Sequence, residues 1–351
     1  MPSCGAGGEK SGLEIVFLAS LNRLTHRLIQ ETLGGIIEFI SRPIEDRLPP
    51  FSKGVLIYNP CAGGLRKGIK KVALVRDALR AQGIELQLLP TRARGDATVL
   101  ARGLVESECQ LVVACGGDGT INEIVCGLAG SHLPLMIFPA GTANVLANEM
   151  GLPNSLSRCA QLLRTGVMRR ISLGRAGSRH FALMAGIGVD AAVVGTVDPA
   201  LKEKIGQGAF WLAGFQQLVR YHFLPFELRV DGHSHSCTFA IISKAKWYAS
   251  RFQLTPRASL FSDTFEICLF HSTNRWRYLA YLLFASFGKH DCLRDVTILQ
   301  GKEIKAVGPG QIKVQFDGEL IGNLPQEFQI QEDALTLIVP GLQPQETRSV
   351  K

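Results

Sequence analysis

The chain has 351 residues, 46% of them hydrophobic, enough to bury a large core and of a length that fits two domains. Its formal charge of +8 favours anionic partners: a nucleotide, a nucleic acid or an anionic membrane surface. No zinc-finger spacing, RNP-like aromatic motif or long Lys/Arg run accompanies the charge, so the reading excludes nucleic acid.

Segment 13–41 places Leu21, Leu24 and Leu28 on one helical face and Arg23, His26, Arg27 and Gln30 on others. Charges interrupt it before the roughly 18–20 uncharged residues of a membrane span, and it lacks the basic start and cleavable apolar core of a signal peptide. An amphipathic helical extension is expected over residues 1–50, with either a membrane surface or the protein's own body under its apolar face. Nine cysteines without a CxxC pair, two of them (Cys115 and Cys268) inside apolar runs, read as reduced thiols of a cytoplasmic protein.

After Pro49-Pro50 the pattern alternates regularly. Strand 55–58, helix 67–82, strand 84–89, helix 96–107, strand 111–115, helix 120–129, strand 134–138 and helix 142–150 follow in order. Thr142 is the expected N-cap of the last helix and Gly151 its C′ residue. Continuous apolar strands alternating with helices predict a parallel, Rossmann-like α/β sheet covered on both faces, whose ligands bind beyond the carboxyl ends of the strands. This domain is expected over 51–172. Beyond it come short alternating runs at 226–231, 237–242, 265–270, 296–299, 303–307 and 311–316, interrupted by a helix around 276–287. They predict a mostly antiparallel β domain over 173–323. The apolar run 335–339 is expected to return to the first sheet, so that 324–342 completes it, and the tail from 343 is expected to be loose.

Four segments carry chemistry. Asn59-Pro60-Cys61-Ala62-Gly63-Gly64 ends the first strand, with Arg66 and Lys67 behind it, a small-residue turn that suits a polyphosphate. Gly116-Gly117-Asp118-Gly119-Thr120-Ile121-Asn122-Glu123 is a strand–turn–helix junction whose backbone N–H groups can face an anion. Asp118 in that turn repels a bare phosphate, which makes chemical sense if a cation, Mg²⁺, lies between them. Pro139-Ala140-Gly141-Thr142-Ala143-Asn144 repeats the junction, and Asp317-Gly318-Glu319 ends an alternating strand. His233, His235 and Cys237 read as a polar hairpin turn rather than a metal site. Trp211, Phe215, Tyr221 and Phe223 read as core rather than a lipid-facing patch. Gly186-x-Gly188 lacks the third glycine and the context of a dinucleotide fingerprint.

Taken together, NPCAGG at 59–64, GGDGTINEIV at 116–125, FPAGTANVLANE at 138–149, MAGIGVDAAVV at 184–194 and DGE at 317–319 resemble the diacylglycerol kinase catalytic-domain lipid kinases. The likeness is strongest to the bacterial diacylglycerol kinase and YegS-like enzymes, relatives of sphingosine and ceramide kinases, and it spans roughly residues 53–340. It implies an ATP- and Mg²⁺-dependent transfer of the γ-phosphate to a lipid hydroxyl, most simply that of diacylglycerol, at a membrane surface to which a cytoplasmic protein binds peripherally. By position, Asn59 to Gly63, Lys67, Thr91, Gly116 to Glu123 and Thr142 would contact ATP, with Asp118 organising Mg²⁺. Glu319, with Asp317 beside it, matches the proton acceptor. The segment 260–265 matches a second, structural Mg²⁺ site made by the Asp263 carboxylate and the carbonyls of Leu260 and Phe265. This chain departs from the family at Ala62, where a serine is usual, and at Thr264, where a glycine is usual; threonine is costly if that position has positive φ. The GGDGT segment also occurs in NAD kinases, so an NAD kinase-like enzyme is the competing reading, and a non-catalytic binder of nucleotide or lipid is the second. A homodimer is permitted by exposed strand edges but not required.

Overall fold

The computed structural model describes residues 48, 50–61, 65–153, 155–196, 220–248 and 252–341, all within the compact unit Glu45–Lys351, and of 65–68 it describes the backbone. The expected amphipathic helix of segment 13–41, the residues Ala62, Gly63, Trp211 and Phe215, the Lys67 side chain and the tail from Gln343 lie outside the described residues.

The first half alternates as the periodicity predicts. β1 (Lys53–Tyr58), α1 (Leu65–Arg80), β2 (Glu85–Pro90), α2 (Asp96–Leu104), β3 (Val112–Gly116), α3 (Asp118–Leu128), β4 (Leu135–Pro139), α4 (Val145–Glu149) and α5 (Leu156–Thr165) succeed one another. The strands pair in parallel in the order β2-β1-β3-β4. Val72, Val75 and Leu79 of α1 and Ile121, Ile124, Val125 and Leu128 of α3 are buried, the single face that spacings of three and four residues produce on a helix. Two helix starts differ from expectation. α3 begins at Asp118 rather than residue 120, because extended Gly117 is its N-cap. α4 spans only Val145–Glu149 with Asn144 as its N-cap residue, so Thr142 is an exposed turn residue and not a cap.

The second half is mostly β. It comprises β5 (Gly166–Ala176), β6 (Arg179–Phe181), β7 (Met184–Ile187), α6 (Val189–Val194), β8 (Phe226–Val230), β9 (His233–Cys237), β10 (Phe239–Ser243), β11 (Trp247–Tyr248) and β12 (Phe252–Gln253). β13 (Phe265–Phe270), α7 (Arg277–Ser286), β14 (Val296–Gly301), β15 (Glu303–Val307), β16 (Lys313–Phe316), β17 (Glu319–Asn323) and β18 (Gln326–Pro340) complete it. Six strands make an antiparallel sheet in the order β14-β13-β10-β7-β16-β17.

β18 ties the halves together. Its apolar end lies parallel to β4, with Leu337 opposite Leu135, the return expected of 335–339. Its first residues pair with β15, which pairs with β8 and through it with β9. Runs 226–231 and 303–307, expected in a separate β domain, therefore extend the first sheet, which reaches ten strands. A register shift between Gln331 and Leu335, with Asp333 at φ 47°, separates the part facing β15 from the part facing β4.

The two sheets face each other across an aromatic cluster. Phe181 and Phe328 from the first meet Phe265 and Phe316 from the second, and all four are buried. The Phe181 ring lies 5.0 Å from Phe316, 5.7 Å from Phe265 and 6.5 Å from Phe328, centre to centre, within the range of favourable ring pairs. Phe316 immediately precedes Asp317, so this core fixes the hairpin that carries the acids. β16 does not alternate as a half-buried strand: Gln315 is buried between Val314 and Phe316, because β16 lies between β7 and β17. Residues 233–237 form strand β9, and the turn is Asp231-Gly232, both at positive φ. Phe223 is buried and stacks on Tyr278, core as expected. The eight described cysteines are free, with Cys115 and Cys268 buried.

Candidate active site

Parallel neighbours end on the same side, so the carboxyl ends of β2, β1, β3 and β4 gather the expected nucleotide residues along one sheet edge. Thr91 follows β2, and its N–H donates to the Tyr58 carbonyl at the end of β1 (2.9 Å). Asn59 accepts the Cys61 N–H with its own side chain (2.9 Å), closing the turn that contains Pro60. The two glycine turns beyond β3 and β4 lie back to back: a Cβ on Gly141 would stand 2.6 Å from the Gly117 Cα. The Ala140 N–H donates to the Gly116 carbonyl (2.9 Å), and the Lys71 ammonium donates to the Ala140 carbonyl (2.8 Å).

Asp118 binds the first turn to the second. Its carboxylate accepts the N–H groups of Asn144 (2.9 Å) and Val145 (2.5 Å) at the start of α4. Asn144 holds φ 48° and folds its amide back on Gly141, accepting its N–H (2.9 Å) and donating to its carbonyl (3.0 Å). The N–H groups of Asp118, Gly119 and Thr120 open α3 and have no intrahelical acceptor. Ile121 turns its side chain into the core, and Asn122 faces the cavity described below. Glu123 accepts from Gly95 (2.8 Å) and Ala97 (3.1 Å), so its carboxylate braces the start of α2 beyond Thr91.

The opposite wall comes from the hairpin β16–β17. Asp317 and Gly318 form its turn, at φ 46° and 84°. The Asp317 carboxylate accepts three consecutive backbone N–H groups, those of Ala182 (2.8 Å), Leu183 (3.0 Å) and Met184 (2.8 Å). Burial pushes its pKa up to about 6; the three N–H groups pull against that shift, and the charge of Asp118 adds to it. Asp118 and Asp317 line one cavity of about 20 Å³ with Asn122, Leu146 and Leu183, room for about one water. Glu319, at the start of β17, pairs with Arg94 from the loop after β2 (2.9 Å). The sheet edge and the hairpin thus converge, and Asp118, Asp317 and Glu319 join regions two hundred residues apart in the chain.

Tyr248 and Gln315 carry no sequence signal, whereas their partner Asp190 lies within the 184–194 motif. Asp190 is buried and its pKa is raised by burial; it accepts a hydrogen bond from the Tyr248 hydroxyl and one from the Gln315 amide (2.7 Å). Gln315 in turn accepts the Gly318 N–H (2.7 Å), so a buried polar chain supports the hairpin turn. Lys71 bonds the second glycine turn and Arg94 pairs with Glu319, whereas the sequence offers Arg66 and Lys67 beside the first turn. These partners come from separate elements and share no spacing.

The expected second metal loop has a different character. Asp263 accepts a hydrogen bond from the Ser172 hydroxyl, and the fully buried Lys244 donates its ammonium to the Ser262 carbonyl. Leu260 and Phe265 are buried, the latter in the aromatic cluster. Thr264 does not have positive φ, so the threonine is unstrained. Among the described residues no group of three or more His, Cys, Asp or Glu side chains could hold a metal ion. An interior ammonium thus reaches the carbonyl of Ser262, inside the loop where the resemblance expects Mg²⁺.

The fold agrees with comparisons to known proteins. Residues 53–176 match the diacylglycerol kinase catalytic domain, and residues 184–339 match the YegS C-terminal NAD kinase beta sandwich-like domain. The chain is 29% identical over 279 residues to a diacylglycerol kinase of Bacillus subtilis, covering 78% of this chain and 91% of that protein. It is 26% identical over 291 residues to a diacylglycerol kinase of Staphylococcus aureus, covering 82% and 92%. A crystal structure of a diacylglycerol kinase from Bacillus anthracis superposes with a TM-score of 0.66 at 23% identity, covering 83% of this chain and 98% of that one, a likeness of fold. With both domains present in order and the motif residues gathered at one edge, the chain belongs to the diacylglycerol kinase-like family of lipid kinases.

Proposed function

We propose that this kinase transfers the γ-phosphoryl group of ATP to a lipid hydroxyl at a membrane surface, with diacylglycerol as the acceptor and phosphatidic acid as the product. The observation that carries this reading is the meeting of two phosphate-suited glycine turns with an acid-bearing hairpin across a water-sized cavity. The α3 N–H groups and the turns at Asn59 and Gly141 offer the donors a triphosphate needs, and the Lys71 ammonium behind the second turn adds positive charge. Glu319 receives the proton of the attacking hydroxyl, and Asp317 holds the hairpin so that this carboxylate faces the acceptor. Arg94 is largely exposed, so its pairing with Glu319 is worth less than about 1 kcal/mol and can be exchanged for a phosphate oxygen.

Magnesium fits the donor wall. Asp118 and Asp317 face one small cavity, and the charge of the first raises the pKa of the second, a juxtaposition that a divalent cation relieves. Asp118 is the residue that would hold it, directly or through water, and the bound ion would offset charge on the triphosphate. Binding to the membrane is taken to be peripheral: no described helix is long and apolar enough to cross.

The test offers γ-labelled ATP and Mg²⁺ to the purified protein with diacylglycerol, a sphingoid base, phosphatidylglycerol or NAD. Label is expected in phosphatidic acid and absent with an Asp118→Asn variant. Labelled NADP instead would replace this reading with the NAD kinase-like one, and no labelled product with any acceptor would leave a non-catalytic binder.

A further inference from the structure

Lys244 is the one lysine among the largest fully buried side chains of the described residues. An ammonium taken out of water is costly unless oxygen acceptors replace its hydration shell. Its acceptor is the carbonyl of Ser262, in the middle of the loop 259–264, next to the carboxylate of Asp263. We infer that the Lys244 ammonium is the resident cation of this loop, occupying the role a divalent metal would otherwise fill.

The loop presents the Ser262 carbonyl to the ammonium and is ordered within itself. Its backbone is pinned by its own bonds, Ser262 N–H to the Ser259 carbonyl (3.1 Å) and Phe261 N–H to the Ser259 hydroxyl (3.2 Å). The Ser262 and Thr264 hydroxyls bond each other (2.9 Å), and the Arg169 guanidinium lies over the Phe261 ring at 5.4 Å. Asp263 accepts a hydrogen bond from the Ser172 hydroxyl and directly follows the residue whose carbonyl receives the Lys244 ammonium. Mg²⁺ asks for six oxygens in near-octahedral order, whereas an ammonium is satisfied by up to three acceptors on one side.

The position gives the clamp a purpose. The Lys244 N–H donates to the Leu183 carbonyl (2.8 Å), and the Leu183 N–H donates to the Asp317 carboxylate (3.0 Å). Ser243 adds a second donor to the same carbonyl (3.1 Å). Lys244 thus fastens the 259–264 loop, by its side chain, to the segment that holds Asp317, by its backbone. It is a positioning residue, and the inference does not depend on which acceptor the kinase uses.

The test is thermal melting without nucleotide, in EDTA or in Mg²⁺, of the wild type and of Asp263→Asn, Lys244→Met and the double variant. The wild type and Asp263→Asn are expected to respond equally to Mg²⁺, within about 1 °C, since the metal owes nothing to Asp263. Lys244→Met is expected to melt roughly 5 °C or more below the wild type and to recover part of that loss in millimolar Mg²⁺, a recovery that the double variant lacks. A Mg²⁺ stabilisation of the wild type that Asp263→Asn abolishes would overturn the inference, and so would a Lys244→Met protein that melts like the wild type. If Lys244→Met does not fold, the comparison of the wild type with Asp263→Asn decides alone.

Discussion

Replacing Asp317 by asparagine should make the protein more stable at neutral pH while removing its activity. The carboxyl group has a pKa near 6 in the folded protein against an ordinary 3.8, because burial outweighs its three backbone donors. A carboxyl whose folded pKa is raised stabilises the fold fully below its unfolded pKa and loses that contribution as pH rises through the folded value. The whole loss is about 3 kcal/mol for a shift of about two units, and about 2 kcal/mol of it falls between pH 4.5 and 7.5. Asparagine keeps an oxygen for Leu183 and Met184 but turns an amide toward the Ala182 N–H, forfeiting one hydrogen bond at a cost of about 1 kcal/mol. The variant should therefore match the wild type near pH 4.5 and exceed its stability by about 2 kcal/mol at pH 7.5. Glu149 and Glu266, whose pKa values burial also raises, are present in both proteins and cancel in the comparison. Urea unfolding of both proteins at the two pH values, without nucleotide or metal, measures the difference. A stability difference that is the same at both pH values would refute the assignment of a raised pKa to Asp317.

Glu319→Gln should keep its melting temperature within about 2 °C, since the pair it forms with Arg94 is exposed, yet lose roughly 100-fold or more in turnover if it accepts the hydroxyl proton. Gly141→Ala forces a methyl group to 2.6 Å from the Gly117 Cα, so the two glycine turns must separate; roughly 1–3 kcal/mol of stability and most nucleotide affinity should go with them, read by melting and by ATP titration. Phe181→Ala empties the centre of the inter-sheet cluster and should cost about 3–5 kcal/mol in urea unfolding; an effect below about 1 kcal/mol would mean that the sheets do not depend on it.

The order of elements in the first half was legible because its signals are local. Continuous apolar runs give strands, and spacings of three and four give helices, so strand 111–115 and helix 120–129 are legible to within two residues of β3 and α3. The four chemical motifs were legible too, since a glycine turn between strand and helix is contiguous in sequence. Helix starts are less so: α4 begins at Val145, where the Asp118 carboxylate from another turn accepts the N–H groups of Asn144 and Val145, and no local pattern around Thr142 reports that.

Tertiary structure decided which pieces meet. A strand of 15 residues can serve two neighbours along its length, and only the fold shows β18 facing β15 at one end and β4 at the other, making one sheet of what reads as two domains. The buried line from Tyr248 through Asp190 and Gln315 to the hairpin turn is drawn from separate elements, and burial is what converts those ordinary polar residues into partners. The same holds at the loop 259–264. Sequence supplied an acid and a family likeness that called for a metal, whereas packing seated a lysine from the end of β10 on the loop's carbonyl. Motifs that bind a ligand through contiguous backbone are written in the sequence; the hydrogen-bond partners of buried acids come from distant segments and are set only by packing.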